Sequence, residues 1–244
     1  MQEWFQEWFN SPYYHKLYFK RDDAEANAFI QNLIAHLQPI PNSTALDVAC
    51  GKGRHSKILN KLGLTVTGID IAANSIADAK AYEHDTLQFL QHDMRLTYCV
   101  NCFDYAFNLF TSFGYFTTSH EHNAAIRTIA QALKPGGILV MDYMNSTYVQ
   151  AHLIPTEVQV IDGTTYDISR TLENNYFVKK IKVTDNKLVA PMLHQEQVAA
   201  FTIANFNAMF QSQGLKIMQT YGSYALDAFD EHTSKRLIMV IQKN

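Results

Sequence analysis

Leu46-Asp47-Val48-Ala49-Cys50-Gly51-Lys52-Gly53-Arg54-His55-Ser56 is the stretch on which the fold turns. Its apolar start predicts a strand over 45–49, its glycines a tight turn, and the residues from about Arg54 to Leu62 a helix. Gly51 and Gly53 permit backbone angles closed to other residues and remove side chains. A nucleotide-like ligand can therefore lie directly against the chain at the carboxyl end of the strand. A dinucleotide loop wants a third small residue, and the spacing puts Ser56 there. Asp70 closes the next predicted strand, Thr65 to Ile69, where a carboxylate can accept hydrogen bonds from both hydroxyls of a ribose.

Outward from this unit the chain keeps alternating. A helix is predicted from Asn74 to Tyr82, strands over Leu87 to Gln91 and Tyr105 to Phe110, and a helix from about His120 to Leu133. The turn Lys134-Pro135-Gly136-Gly137 follows, then a strand from Ile138 to Tyr143. That rhythm is the mark of βαβ units and a parallel sheet. Between Thr156 and Ala200 it gives way to strand-like runs broken at Asp162-Gly163 and Thr184-Asp185-Asn186-Lys187, which predicts an antiparallel hairpin insertion. A helix from Thr202 to Gln213 and strands over Leu215 to Tyr221 and Arg236 to Gln242 close the chain. The expected fold is α/β: a Rossmann-like, doubly wound, mostly parallel seven-stranded sheet with helices on both faces and a β-hairpin insertion after the fifth strand. One domain over 1–244 is expected, divided into an N-terminal helical cap (1–40), a cofactor-binding core (44–144), the insertion (156–200) and a closing segment (201–244).

With 244 residues, 47% of them hydrophobic, the chain can bury one sizeable core. A formal charge of −3 gives no pull toward phosphate backbones or anionic lipid, so neither nucleic acid nor membrane is expected as a partner. No apolar stretch reaches bilayer length, and MQEWFQEWFN lacks the basic, aliphatic character of a signal peptide, so a cytoplasmic protein is expected. Within that start, Trp4 and Trp8, like Phe5 and Phe9, share one side of a helix that Pro12 should end or bend. Three cysteines form no disulfide framework and read as free thiols. The C-x-x-C of Cys99 and Cys102 lacks the helix N-terminus or second ligand pair that redox or metal chemistry wants. His120 and His122 point to different faces of a helix start and read as solvated polar residues rather than a metal pair.

LDVACGKGRHS, VTGIDIAANSI, QHDMR and KPGGILVMDY fall in the order and spacing of the class I S-adenosylmethionine (SAM) dependent methyltransferases, which this sequence resembles from about Thr44 to Met144. The resemblance implies SAM as cofactor, S-adenosylhomocysteine as product, and a small-molecule acceptor. It places Asp47, Ala49, Gly51 and Gly53 around the methionine end and Asp70 on the ribose. Ile71 would flank the adenine, Asp93 with the backbone of Met94 would recognise its amino group, and Asn108, Leu109 and Phe110 would line the mouth of the fourth strand. Ala49 departs from the family, which commonly has glycine there. The run from Asn108 to Phe116 is not the Asn-Pro-Pro-Tyr loop of amino-methyltransferases acting on DNA adenine or protein glutamine. Asn101 before Cys102 also removes the Pro-Cys nucleophile of the cytosine enzymes. SPYYHKLYFKR, Ser11 to Arg21, resembles the cap that related small-molecule enzymes fold over the cofactor, and aromatic faces such as Tyr14 and Tyr18 attract a sulfonium cation.

Methyl transfer at a carbon activated by positive sulfur needs alignment and exclusion of water, and a base is optional. His15 and Tyr115 are the candidate proton acceptors, against a capping histidine and a packing tyrosine. An NAD-dependent oxidoreductase and a non-catalytic SAM-binding protein on the same fold are the alternatives. The inserted hairpins are expected either to roof the acceptor site or to pair with a second copy of the chain as a homodimer.

Overall fold

The computed structural model describes residues 4–18 and 23–244, with the backbone alone for 4–6 and Asp23. Phe19, Lys20, Arg21 and Asp22, expected in the N-terminal helical cap, lie outside the described residues, as does Glu3. Five parallel strands form the centre: β1 (Thr44–Val48), β2 (Thr65–Asp70), β3 (Leu87–Gln91), β4 (Phe103–Asn108) and β5 (Leu133–Met144). The closing strands β10 (Leu215–Tyr221) and β11 (Arg236–Lys243) complete a seven-stranded sheet of order β10-β11-β5-β4-β1-β2-β3, with β11 antiparallel to β5. The order reverses between β1 and β4, where an open α/β sheet leaves a crevice at the strands' carboxyl ends.

Alternating side chains give the sheet two buried faces. Ala45, Val140 and Ile238 pack with Phe29, Ile30 and Leu33 of α3 (Asp23–Leu37), with Leu59 of α4 (Arg54–Lys61) and with Ile76 of α5 (Ala73–Ala79). Their sequence neighbours Leu46, Met141 and Met239 pack on the other side with Ile126 and Ile129 of α6 (Ser119–Ala132) and Phe206 and Phe210 of α8 (Ile203–Gln211). Capping boxes, Thr118 with Glu121 and Thr202 with Asn205, fix where α6 and α8 begin by satisfying backbone donors on their first turns.

The insertion is a separate antiparallel sheet of β6 (Thr156–Ile161), β7 (Thr164–Glu173), β8 (Tyr176–Thr184) and β9 (Met192–Ala199). Its face holding Tyr166, Ile168, Ile181 and Val183 is covered by Trp8 of α1 (Trp4–Phe9) and Leu17 of α2 (Pro12–Leu17). The aromatic start of the chain is therefore a packed cap. Pro12 does not simply stop a helix: it occupies the first turn of α2 behind the N-cap Ser11, where its missing N–H costs nothing.

Several boundaries differ from expectation. β5 begins at Leu133, because the Pro135-Gly136-Gly137 segment stays in the strand as an irregularity with Gly136 at φ +76° and a register shift against β4. Strand β4 ends at Asn108, and Phe110 and Thr111 take positive φ. The insertion has a third turn at Asn174-Asn175, both left-handed, while residues 185–191 form a loop longer than the expected turn. The short helix α7 (Ser146–Ala151) was not signalled. His122 is buried, ringed by Phe113, Phe116 and Phe201, because it lies on the inward side of α6; only His120 is exposed. Cys99 and Cys102, read as free thiols, are paired in a disulfide with their Cα atoms 6.2 Å apart, leaving Cys50 free and buried. Among the described residues no helix is long and apolar enough to cross a membrane, and no cluster of metal-ligating side chains occurs.

Candidate active site

A cavity of about 350 Å³ opens at the carboxyl ends of β1, β2 and β4, beneath the cap. It brings together residues that the sequence scatters: Tyr14, His15 and Tyr18 from the cap, Ala49 and Gly51 after β1, and Asp70 and Ile71 at the end of β2. Asp93 and Met94 after β3, and Leu109, Phe110 and Tyr115 after β4, line it too. Asp47, Gly53 and Asn108 are buried and are not in the wall. They shape it from behind. Ser56 Oγ donates to Asp47, tying the start of α4 to β1, and Asn108 Nδ2 donates to the Val48 carbonyl at 3.1 Å. Gly53 sits where a Cβ would meet the Phe89 ring at 2.5 Å.

Asp70 is the hinge of the wall. Its Oδ2 accepts from Gly51 N–H at 2.8 Å and its Oδ1 from Ala72 N–H at 2.7 Å. Burial raises the Asp70 carboxyl above the usual range, and these backbone donors oppose the rise. A carboxylate has about four lone-pair sites, so two donors leave acceptor capacity for hydroxyls of a ligand. Asp47 is pushed up to about 6, first by burial and further by the neighbouring charge of Asp70, against the Ser56 hydrogen bond. Burial pushes Asp93 up, but Arg95 outweighs it through hydrogen bonds of 2.7 to 3.1 Å and its charge, so this carboxyl stands below its ordinary value. Burial and the Lys52 cation lower His15.

Sequence reasoning missed part of the wall. Phe9, Cys50, Lys52, Arg54, His55, Ser75, His92, Ser112 and Phe116 also line it. Phe110 stacks on His55 at 5.0 Å and on Tyr224 at 5.5 Å, with the Arg54 guanidinium 4.6 Å from its ring centre. Behind it, buried Asp142 accepts from Phe110 N–H at 2.9 Å and from Arg236 Nε at 2.8 Å. Arg54 and His55 could have been flagged from the sequence because they directly follow the glycine loop. Tyr224 and Arg236 carried no local signal.

An adenosine-bearing sulfonium suits this donor set. At Gly51 the backbone has φ +56° and nothing lies within 4 Å of where a Cβ would stand, so the wall is bare main chain there. Asp70 offers a carboxylate, and Phe9, Tyr14, Tyr18 and Tyr115 offer aromatic faces to a cation. Residues 46–141 match the methyltransferase domain family. The chain is a class I SAM-dependent methyltransferase. This enzyme is 26% identical to the dTDP-3-amino-3,4,6-trideoxy-alpha-D-glucopyranose N,N-dimethyltransferase of Streptomyces venezuelae, over 81% of this chain and 85% of that one. It is 34% identical to the putative methyltransferase YqeM of Bacillus subtilis, over 45% of each chain. Its fold matches a SAM-dependent methyltransferase from Clostridium acetobutylicum with TM-score 0.79 and 15% identity, over 95% of this chain and 96% of that one. SAM, not NAD, is its cofactor. Ser56, in the third glycine position of a dinucleotide loop, is instead bonded to Asp47.

Proposed function

We propose that the acceptor is a small molecule methylated on an amino nitrogen, of the amino-sugar class that the Streptomyces venezuelae relative acts on. The observation that carries this reading is the aromatic wall in which Phe9 of the cap packs on Tyr14 and on Tyr115 after β4. Such a wall limits the water around two reactants and holds them in line, which is most of what methyl transfer requires. The likeness to this relative spans 81% of the chain, whereas the YqeM likeness covers less than half of it.

When bound, SAM supplies a methyl carbon activated by positive sulfur. In this reading Asp70 takes the ribose hydroxyls, Gly51 and Ala49 present main chain to the methionine end, and Ile71, Asp93 and Met94 flank the adenine. Asp47, Gly53 and Asn108 support that loop from behind, and Leu109 and Phe110 bound the side toward the acceptor. His15 and Tyr115 reach the same cavity as groups able to position an acceptor. The insertion roofs the site through the cap. On its outer face, Val158, Asp167, Lys182 and Leu193 stand in one cross-strand row with Val158 and Leu193 exposed, the surface we assign to pairing in a homodimer.

The test is to incubate the protein with methyl-labelled SAM and dTDP-3-amino-3,6-dideoxyglucose, beside hydroxyl and thiol acceptors. Label on the amine is the expected outcome. Label found only on oxygen or sulfur acceptors, or on none, overturns the reading.

A further inference from the structure

We propose that Glu196, on the inserted sheet, receives through Tyr18 the proton that the acceptor nitrogen gives up. This rests on the amine reading above. Tyr18 belongs to the cavity wall, yet its hydroxyl points its proton out of the core: it donates to Glu196 Oε2 at 2.7 Å and lies 2.8 Å from Oε1. Lys179 Nζ donates to the same phenol oxygen at 2.6 Å, and its ammonium lies 4.6 Å from the ring centre and 3.8 Å from Glu196 Oε2. Trp8 Nε1 donates to Glu196 Oε1 at 2.6 Å. Glu196 and Lys179 keep only 14% and 17% side-chain exposure, so this polar group is nearly enclosed between cap and sheet. Phenol, ammonium and carboxylate thus form one directed chain, Lys179 to Tyr18 to Glu196.

Two other hydroxyls in the wall, and His15, end differently. Tyr115 donates to the Thr111 carbonyl at 2.6 Å and Ser112 to the Leu109 carbonyl at 2.8 Å, and an amide oxygen cannot keep a proton near neutrality. His15 is lowered by burial and by Lys52, which disfavours its holding one. Tyr18, by contrast, hands its proton to a carboxylate. A polar network of this kind has little reason to be built for packing alone, since burying a charged pair is seldom stabilising in itself.

The balance is simple. An amino-sugar nitrogen enters as ammonium and must lose one proton to expose its lone pair. That proton passes to the Tyr18 oxygen while the Tyr18 proton passes to Glu196, leaving a neutral amine, an unchanged phenol and a carboxylic acid. The lone pair then forms the N–C bond as the C–S bond breaks, with that electron pair remaining on sulfur. After release of the product, Glu196 returns its proton to solvent. Lys179 polarises the phenol oxygen and keeps the hydroxyl aimed at the carboxylate.

Glu196→Gln keeps an oxygen for Trp8 or Tyr18 and is the informative variant, with Tyr18→Phe and Lys179→Met beside it. Calorimetry with S-adenosylhomocysteine reports whether the cap still seats, and affinity within about threefold of wild type is expected. Calorimetry of dTDP-3-amino-3,6-dideoxyglucose binding to the S-adenosylhomocysteine complex, in buffers of different ionisation enthalpy, counts protons without turnover. Wild type should release almost none, whereas Glu196→Gln should release about one or bind the amine far more weakly. Its kcat at neutral pH should fall by about 10²–10⁴-fold, the range for a lost general base, and recover as pH rises and the amine deprotonates unaided. Tyr18→Phe should behave likewise. An unchanged proton count and pH profile overturn the proposal. So does a variant that loses S-adenosylhomocysteine affinity but regains full kcat at saturating SAM, which would make Glu196 a latch for the cap and nothing more. Failure of wild type to methylate the amine would instead overturn the amine reading.

Discussion

The backbone N–H of Gly51 donates to Asp70 Oδ2 at 2.8 Å, so the turn leaving β1 hangs on the residue that ends β2. A ligand gripped by one is thereby registered against the other. Asp70→Ala removes a ligand acceptor and leaves the N–H groups of Gly51 and Ala72 without their partner. SAM affinity is expected to fall by about 1–3 kcal/mol, the scale for unpaired polar groups, as read by calorimetry on a variant whose circular dichroism is unchanged. Unaltered affinity would remove Asp70 from the site.

Asp47 couples stability to pH. Its carboxyl stands at about 6 when folded, mainly through burial, against roughly 3.9 in an unfolded chain. Between those values the folded protein holds the extra proton, so this group's contribution weakens as pH rises from about 4 to about 6 and stays reduced above. The shift corresponds to about 3 kcal/mol. Asp47→Asn cannot titrate, so the stability difference between variant and wild type should move in the variant's favour across that window. Urea denaturation at pH 4.5 and 7.5 measures it, and a pH-independent difference would refute the assignment.

Ala49 carries a side chain at φ +60°, where the left-handed region penalises any Cβ. Ala49→Gly relieves this and gives back part of the gain in backbone entropy. A net stabilisation of about 1 kcal/mol is expected, or about 2–4 °C in Tm for a chain of this size. A lower Tm would mean that the alanine methyl has packing value that exceeds the strain.

Asp142 is wholly buried and joins Arg236, the hydroxyl of Tyr224 and the N–H of Phe110. Removing one partner of a buried pair costs about 3–5 kcal/mol, so Asp142→Ala should lose stability on that scale in urea denaturation. Because the bend at Phe110 and Thr111 has positive φ at both residues, losing its anchor should also loosen the cavity wall and weaken SAM binding. A loss of stability with undiminished affinity would uncouple Asp142 from the site.

Gly53 is held at φ +75° with the Phe89 ring where a Cβ would go. Gly53→Ala should destabilise by about 2–4 kcal/mol from overpacking and left-handed strain together. Phe89→Leu in the same chain should restore part of it. Lack of any rescue would locate the cost in the backbone alone.

The sequence by itself determined what is local and periodic. The strand, glycine loop and helix from 44 to 61, the carboxylate ending β2, the alternation that makes a parallel sheet and the Asp162-Gly163 hairpin all follow from patterns a few residues long. Seven of the expected site residues, those after β1, β2 and β4, converge on one cavity for that reason: sheet topology requires these strand ends to meet at the reversal of strand order, while Tyr14, His15 and Tyr18 reach it only because the cap packs there. Tertiary structure alone decided the pairings that spacing cannot encode. Tyr18 meets Glu196 across 178 positions and Arg236 meets Asp142 across 94, and nothing near either residue marks its partner. The same holds for His122, whose polar side chain looks solvated in one dimension and is enclosed by three phenylalanines in three. A short-range pattern fixes backbone conformation, whereas burial and the choice of a distant partner depend on how whole elements pack.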